Sequence, residues 1–224
     1  TDFVSKNFRI PYPKVAGTVY AEEIALMLVE ERKRIGQWVP LVDPTPVDVD
    51  LYPLREFLGS YAIDMPVVGL FDGRVRVPFA DLHSLHPYLV KILSHELAHA
   101  LITQATGDRA PKWVQEGLAQ HVQMLQDVSN PYRDLDFNGR SLSLSVVEHA
   151  LDGFSEPQLV ELSYAQAVWA FHYLEADYWS DRRGFLPTTR FANSLDDDRR
   201  IAEQLFAAAG CEVSVPMNEL GTDL

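Results

Sequence analysis

The stretch Ser94-His95-Glu96-Leu97-Ala98-His99 decides how the rest of the chain is interpreted. In a helix of 3.6 residues per turn, positions four apart lie on one face about 6 Å from each other, so the imidazoles of His95 and His99 can bind one metal ion. Glu96 is rotated by about 100° from His95, and its carboxylate can therefore accept a proton from a water bound to that ion. This spacing is typical of helices that hold Zn²⁺. A chance match is the alternative, and the downstream sequence has to discriminate between the two.

A second helix can supply the third protein ligand that a catalytic zinc requires. Sixteen residues separate Glu116 from His99, which is enough for the first helix, called the metal helix below, to end and for the next to return beside it. Gly117 follows Glu116 directly. Because a glycine inside a helix costs about 1 kcal/mol relative to alanine, it indicates the close approach of another backbone. We expect that backbone to be the metal helix.

Composition narrows the class of protein. The 224 residues are 47% hydrophobic and 23% charged, which is typical of a soluble globular protein. The net charge of −13 argues against nucleic acid as a partner. Cys211 is the single cysteine, so an intramolecular disulfide is excluded. The chain shows neither a signal segment nor an apolar run long enough to span a bilayer. It begins at Thr1, so a removed leader or upstream domain is an open alternative and localisation is not determined.

The N-terminal part carries the predicted strands. Alternating apolar residues predict strands over Asn7–Pro13 and Val47–Leu51, and a helix is expected from Val19 to Ile35. Asp72-Gly73 predicts a two-residue hairpin turn between Pro66–Phe71 and Arg74–Phe79. Pro78 cannot donate to a β-ladder, so the second strand is expected either to lie at a sheet edge or to end at Pro78. At an edge it can pair with an extended peptide. The alternative is a terminal strand protected by Arg74 and Arg76.

The C-terminal part is predicted to be mainly helical. The metal helix should run from Pro87 to about Ala105, with Gly107 ending it, and the next from Pro111 to about Asp127. Ser145 with Glu148, and Ser163 with Gln166, fit capping boxes, the second opening a helix from Tyr164 to Trp179. Further expectations are a loop over 128–140 and a last helix over 196–209. The sequence therefore predicts an α+β fold with two parts, residues 1–106 and 107–224.

A family resemblance extends this interpretation. His95-Glu96-x-x-His99 followed by Trp113-x-x-Glu116-Gly117-x-Ala119 resembles the gluzincin metallopeptidases, and is similar around the third ligand to aminopeptidase N-type enzymes. The exopeptidase signature Gly-x-Met-Glu-Asn is absent. The closer similarity is to the peptidase MA-like domain, whose pattern covers roughly residues 66 to 175. Members of that group are often joined to helical repeats, so a repeat region outside this chain is a further expectation.

The resemblance implies a zincin-like fold and a complete set of site residues. His95, His99 and Glu116 would bind Zn²⁺, and Glu96 would be the general base. Tyr164, expected at a helix entrance, would hydrogen-bond the developing oxyanion, with packing against the core as its alternative. Two further roles remain open: His172 as a second oxyanion candidate, and Gln120 as a support for a ligand imidazole.

The sequence thus predicts a zinc-dependent hydrolase acting on a peptide or protein substrate. The alternative is a non-catalytic or latent gluzincin-fold domain that binds metal and serves as a scaffold within a larger repeat-containing protein. Glu96 favours the hydrolase, because a domain with no catalytic role has no physical need for a carboxylate at that position. A purely structural helical domain with fortuitous histidines requires Glu116 and Gly117 to be coincidences as well, and we rank it last.

Overall fold

The computed structural model describes residues 2–11, 17–39, 41, 45–53, 56–57, 69–79, 87–124, 142–154 and 157–183, and the structural statements below concern these residues. Several features named above fall outside them: the loop over 128–140, the last helix over 196–209 and Cys211.

A mixed five-stranded sheet forms the N-terminal half. Its strands are β1 (Asp2–Val4), β2 (Phe8–Pro11), β3 (Val47–Pro53), β4 (Leu70–Phe71) and β5 (Val75–Phe79), in the spatial order β1-β2-β3-β5-β4. The inner pairs β2–β3 and β3–β5 are parallel, whereas β1 and β4 are antiparallel to their neighbours. The predicted strands over Asn7–Pro13 and Val47–Leu51 are confirmed, with shifted ends.

The predicted hairpin is present, but two details of the prediction are wrong. Phe71 pairs with Val75, so the turn contains three residues rather than two. Gly73 takes a φ of 96° within it, as is common in three-residue hairpin loops that need one left-handed position. Strand β5 lies between β3 and β4, so the expectation of an edge strand over Arg74–Phe79 is wrong and the edge strand is the two-residue β4. The other alternative, a strand that ends at Pro78, agrees to within one residue with the bounds of β5. Pro78 is tolerated because β4 begins at Leu70, which pairs with Arg76, and therefore does not extend along β5 as far as Pro78.

The two faces of the sheet differ sharply. Apolar residues at alternate positions are buried in one hydrophobic cluster with the helices, among them Phe8, Ile10, Val47, Val49, Leu51, Val75 and Val77. The other face carries ion pairs. Arg74 binds Asp48 and Asp50 at 3.1 and 2.9 Å, and Arg76 binds Asp50 and Asp72, both at 3.0 Å. Both arginines are therefore engaged with carboxylates of the sheet and its hairpin loop, as expected for a charged face that covers the strands.

Five α-helices complete the described part of the chain. They are α1 (Gly17–Ile35), α2 (Pro87–Thr106), α3 (Lys112–Met124), α4 (Leu144–His149), which continues into a π-helical turn over Ala150–Phe154, and α5 (Pro157–Arg183). The metal helix, α2, ends where predicted, because Gly107 adopts a left-handed φ of 60° and its N–H donates to the Thr103 carbonyl at 2.8 Å. The described part of α3 reaches Met124, and the predicted helix end near Asp127 lies outside the described residues.

Both predicted capping boxes are wrong. Ser143, not Ser145, caps α4, and its side chain accepts from the N–H of Val146. Helix α5 begins at Pro157, so Ser163 lies inside it rather than at its entrance. The amide of Gln166 instead bonds both the N–H and the carbonyl of Leu142. Neither Ser145 nor Ser163 therefore caps a helix, and Gln166 bonds the segment before α4 instead of the start of its own helix.

The α+β class with a small mixed sheet and mainly helical content is confirmed. Within the described residues, no helix combines the length and apolar character needed to cross a membrane. One hydrophobic cluster includes residues from both sides of position 106, such as Leu97 of α2 and Leu118 of α3. The zincin-like fold and the division at 106/107 stay predictions.

Candidate metal centre

Helix α2 holds two imidazoles in register. Its apolar residues, among them Leu93, Leu97 and Ala98, are fully buried, which fixes the rotation of the helix about its axis. His95 and His99 are then one turn apart on the same face, with their Nε2 atoms 3.1 Å from each other. Both rings therefore present the same nitrogen to one point, as the spacing of the motif predicts.

Helix α3 brings Glu116 to that point. One carboxylate oxygen lies 3.5 Å from Nε2 of His95, and the other lies 3.6 Å from Nε2 of His99. Tetrahedral zinc with ligands at 2.0–2.1 Å requires neighbouring ligand atoms about 3.3 Å apart, so these separations are compatible with one bound ion. His95, His99 and Glu116 form a group that could hold a metal ion, its ligand atoms all within 4.8 Å of one another.

One oxygen of the Glu116 carboxylate is buried without a hydrogen bond of ordinary length, and the imidazole of His95, 3.5 Å away, is its neighbour on α2. This oxygen, Oε2, is inaccessible to solvent. A buried ionised oxygen of this kind is costly unless a cation lies beside it. The donor set of two imidazoles and one carboxylate, together with this unsatisfied oxygen, fits a bound divalent cation.

The pKa values of His99 and Glu116 suit ligation, which needs deprotonated groups, whereas His95 must first lose a proton. Burial lowers the pKa of His99 to about 4, so this ring is neutral near pH 7. For Glu116, burial would raise the pKa, but the imidazoles of His99 and His95 outweigh it and the net shift is downward. For His95, burial acts downward and the adjacent Glu116 carboxylate reverses it, leaving the pKa above its usual 6.5.

Glu96 lies beside this group rather than within it. Its side chain is buried on α2, and burial raises its pKa to about 7, with the opposing charge of His95 offsetting part of the effect. The carboxylate packs against Gly69, the residue before β4: a Cβ atom built on Gly69 would lie 2.7 Å from Oε1 of Glu96. A carboxylate with a pKa near neutrality can both take up and release a proton at physiological pH.

The structure supports the other site predictions less fully. Tyr164 is half-buried inside α5, so the expectation that it stands at a helix entrance is wrong, and its role as oxyanion donor stays a prediction. The Nε2 of His172 lies 2.7 Å from Nδ1 of the buried His121. Because His121 is about 140° around α3 from Glu116, this contact engages His172 away from the metal ligands.

Gly117 marks a different contact from the one expected. A Cβ atom there would meet the carbonyl oxygen of Ala167 at 2.5 Å and Cβ of Phe171 at 2.9 Å, both in α5. The close backbone neighbour of α3 at this position is therefore α5 and not the metal helix. The residue after Glu116 is small because α5 passes over it.

Three polar residues that interact with His95, His99 or Glu116 were not predicted from the sequence. A side-chain hydrogen bond with Gln115 acts upward on the pKa of His99, against the larger effect of burial, and one with Gln123 acts upward on the pKa of His95. The glutamine predicted for such a role was Gln120. Positions seven apart on a helix share a face, so Gln123 could have been predicted to lie on the same side of α3 as Glu116. The ammonium of Lys112, one turn before Glu116, lowers the pKa values of Glu116 and His99 through its charge.

Comparison with known proteins adds no assignment: no family model matches this chain, and neither a curated protein nor a solved structure matches it significantly.

Proposed function

We propose that this protein is a gluzincin-type zinc metallopeptidase, a hydrolase of peptide bonds. The observation that carries the proposal is the convergence of His95, His99 and Glu116 from two helices on one point, with the buried carboxylate of Glu96 adjacent. A structural cluster of histidines would need neither the third ligand at metal-ligand spacing nor the extra carboxylate.

The donor set favours zinc among the common divalent ions. Calcium and magnesium take oxygen ligands almost exclusively, whereas imidazole nitrogen suits zinc and other late first-row metals. Three protein ligands would leave the fourth tetrahedral position open for water, the arrangement of catalytic zinc sites. When bound, such an ion supplies a water of lowered pKa and polarises a carbonyl.

The chain's own residues then handle the proton. Glu96 accepts a proton from the attacking water and delivers it to the leaving amine, so one carboxylate serves both halves of the reaction. Its raised pKa of about 7 matches that double role. We assign Tyr164 as the hydrogen-bond donor to the developing oxyanion, a kind of contact whose removal costs a few kcal/mol of barrier.

The test combines metal analysis with digestion of a mixed peptide library. We expect about one zinc per chain in the wild type and in Glu96→Gln, and a loss of about 10²–10⁴ in kcat/KM for Glu96→Gln, the usual contribution of a general base. Glu23→Gln on the exposed face of α1 is the matched control and should retain full activity.

Two outcomes contradict the proposal in different ways. Absence of any stoichiometric transition metal from protein purified without chelator removes its basis. Stoichiometric zinc with no hydrolysis by either protein would instead favour the alternative, a metal-binding scaffold domain. Equal activity of Glu96→Gln and wild type would show that another group acts as the base.

A further inference from the structure

Gly69 is glycine for reasons of space. Its φ lies outside the left-handed region, so its backbone conformation is open to any residue. A Cβ atom at this position, however, would lie 2.6 Å from Cγ2 of Ile92, 2.7 Å from Oε1 of Glu96 and 3.0 Å from Cγ of Glu96. The bare α-carbon therefore packs directly against the outer end of the Glu96 side chain.

The obstructing atoms decide what a substitution would do. At Gly117 the obstruction is a backbone carbonyl, which can move only if two helices separate. At Gly69 the obstructing atoms belong to the side chains of Ile92 and Glu96. A methyl group here requires the Glu96 side chain to rotate and the buried Ile92 side chain to shift. Because side chains rather than backbone must move, the fold should survive while the carboxylate is displaced.

We propose that Gly69 is a positioning residue for Glu96. Gly69 lies just before the edge strand β4 and has no side chain, so its backbone packs directly against the Glu96 carboxylate and keeps it beside the metal-binding group. The inference rests on the proposed function to the extent that Glu96 acts as the base. The position of this base is then set by the residue that leads into β4, a part of the fold that contributes no metal ligand.

Gly69→Ala tests the proposal, with Gly36→Ala as the matched control. At Gly36 a Cβ atom would meet the Leu41 side chain at 2.7 Å, a similar obstruction at the end of α1. Three measurements are made on both variants: a crystal structure, zinc affinity by competition with a chromophoric chelator, and kcat and KM on a cleaved peptide.

For Gly69→Ala we expect the carboxylate of Glu96 to move by at least 0.7 Å, the difference between an ordinary 3.4 Å contact and 2.7 Å. Zinc affinity should stay within about twofold of wild type, since the ligands are not obstructed. A displacement approaching 1 Å at a catalytic group costs on the order of 10²-fold, so kcat should fall by about 10- to 100-fold with KM little changed. Gly36→Ala should leave all three unchanged.

A double-mutant comparison separates positioning from general damage. If Gly69 acts through Glu96, Gly69→Ala should reduce the residual activity of Glu96→Gln by less than about twofold, because the base is already lost. A further loss equal to that seen in wild type would overturn the proposal. An unmoved Glu96 carboxylate, or zinc affinity lost together with kcat, would do the same.

The crystal structure keeps this inference distinguishable from the proposed function. If the wild type hydrolyses no peptide, a displaced Glu96 in Gly69→Ala still supports the positioning contact while the peptidase proposal fails. If the wild type is active and Gly69→Ala is equally active with Glu96 in place, the peptidase proposal stands and the role of Gly69 is refuted.

Discussion

The backbone of Ala167 in α5 lies so close to Gly117 in α3 that a Cβ atom on the glycine would be 2.5 Å from the Ala167 carbonyl oxygen. Glu116, the predicted third metal ligand, is the adjacent residue. The position of α3, and with it the position of Glu116 opposite His95 and His99, therefore depends on a helix contact that only a glycine permits.

Gly117→Ala should destabilise the protein despite the higher helix propensity of alanine. Propensity alone predicts a gain of about 1 kcal/mol, but overpacking against a backbone carbonyl costs about 1–3 kcal/mol. We expect a net loss in the free energy of unfolding, measured by urea denaturation, together with weaker zinc binding as α3 shifts. Gly36→Ala, which meets the end of a movable side chain, is the comparison. An increase in stability for Gly117→Ala would show that the α3–α5 contact is looser than described.

Glu148 should stabilise the N-terminus of α3. The side chain of Pro111, before the helix, cannot accept a hydrogen bond, and the Glu148 carboxylate instead accepts from the N–H groups of Lys112 at 2.9 Å and Trp113 at 3.2 Å. Removing this acceptor should cost about 1 kcal/mol, the usual value of an N-terminal cap with a favourable charge. In urea denaturation Glu148→Ala should lose this amount, Glu148→Gln less, and the exposed Glu161→Ala almost none. Equal effects of Glu148→Ala and Glu161→Ala would contradict the assignment.

Zinc binding should release a proton from His95. The pKa of His95 is raised above 6.5 by the adjacent Glu116 carboxylate, so at pH 6.5 more than half of the rings are protonated in the metal-free protein, whereas His99 and Glu116 are mostly deprotonated. A metal takes the neutral imidazole, so affinity should rise with pH until His95 is fully neutral. We expect zinc binding at pH 6.5 to release a proton from His95 in more than half of the molecules, and this release should decline at alkaline pH.

Calorimetry in buffers of different ionisation enthalpy measures this proton. The Glu96→Gln variant is the appropriate protein, because Glu96 has a pKa of about 7 and would otherwise contribute. Binding that releases no proton at pH 6.5 would mean that His95 is already neutral in the metal-free protein.

His172 should make the metal-free protein less stable in acid. Burial lowers its pKa to about 4, against 6.5 in the unfolded chain, so the unfolded state binds more protons between these values. Stability from this group is therefore complete above pH 6.5 and is lost as pH falls through 4, by roughly 3 kcal/mol in total.

The His172→Gln variant tests this dependence. Glutamine can keep a hydrogen bond to His121 without titrating, so the slope of unfolding free energy against pH should decrease between pH 6.5 and 4. Some slope should remain, because the pKa of His99 is lowered in the same direction. The exposed His149→Gln is the control, and an equal change of slope in the two variants would refute the role of His172.

Much of the candidate site follows from local sequence. The 3.6-residue period of a helix places His95 and His99 on one face wherever that helix lies, and Gly107 ends the helix because it accepts a left-handed φ of 60°. Glu116 was found at motif spacing, and Asp72-Gly73 located the hairpin. The histidine pair, the helix end and the hairpin depend on residues close together in the chain, whose geometry is set by the backbone itself, whereas the placement of Glu116 opposite the histidines depends on how α3 packs.

Tertiary structure decided which elements face each other. Gly117 predicted that another backbone comes close to α3, but the sequence did not identify the element, which is α5 rather than α2. The sequence also assigned Glu148 and Gln166 to their own helix ends, whereas Glu148 serves α3 and Gln166 bonds Leu142. It did not find that Gly69 touches Glu96, 27 positions away. Such contacts arise from the packing of distant segments around a shared core, and no local period or cap records which segments those are.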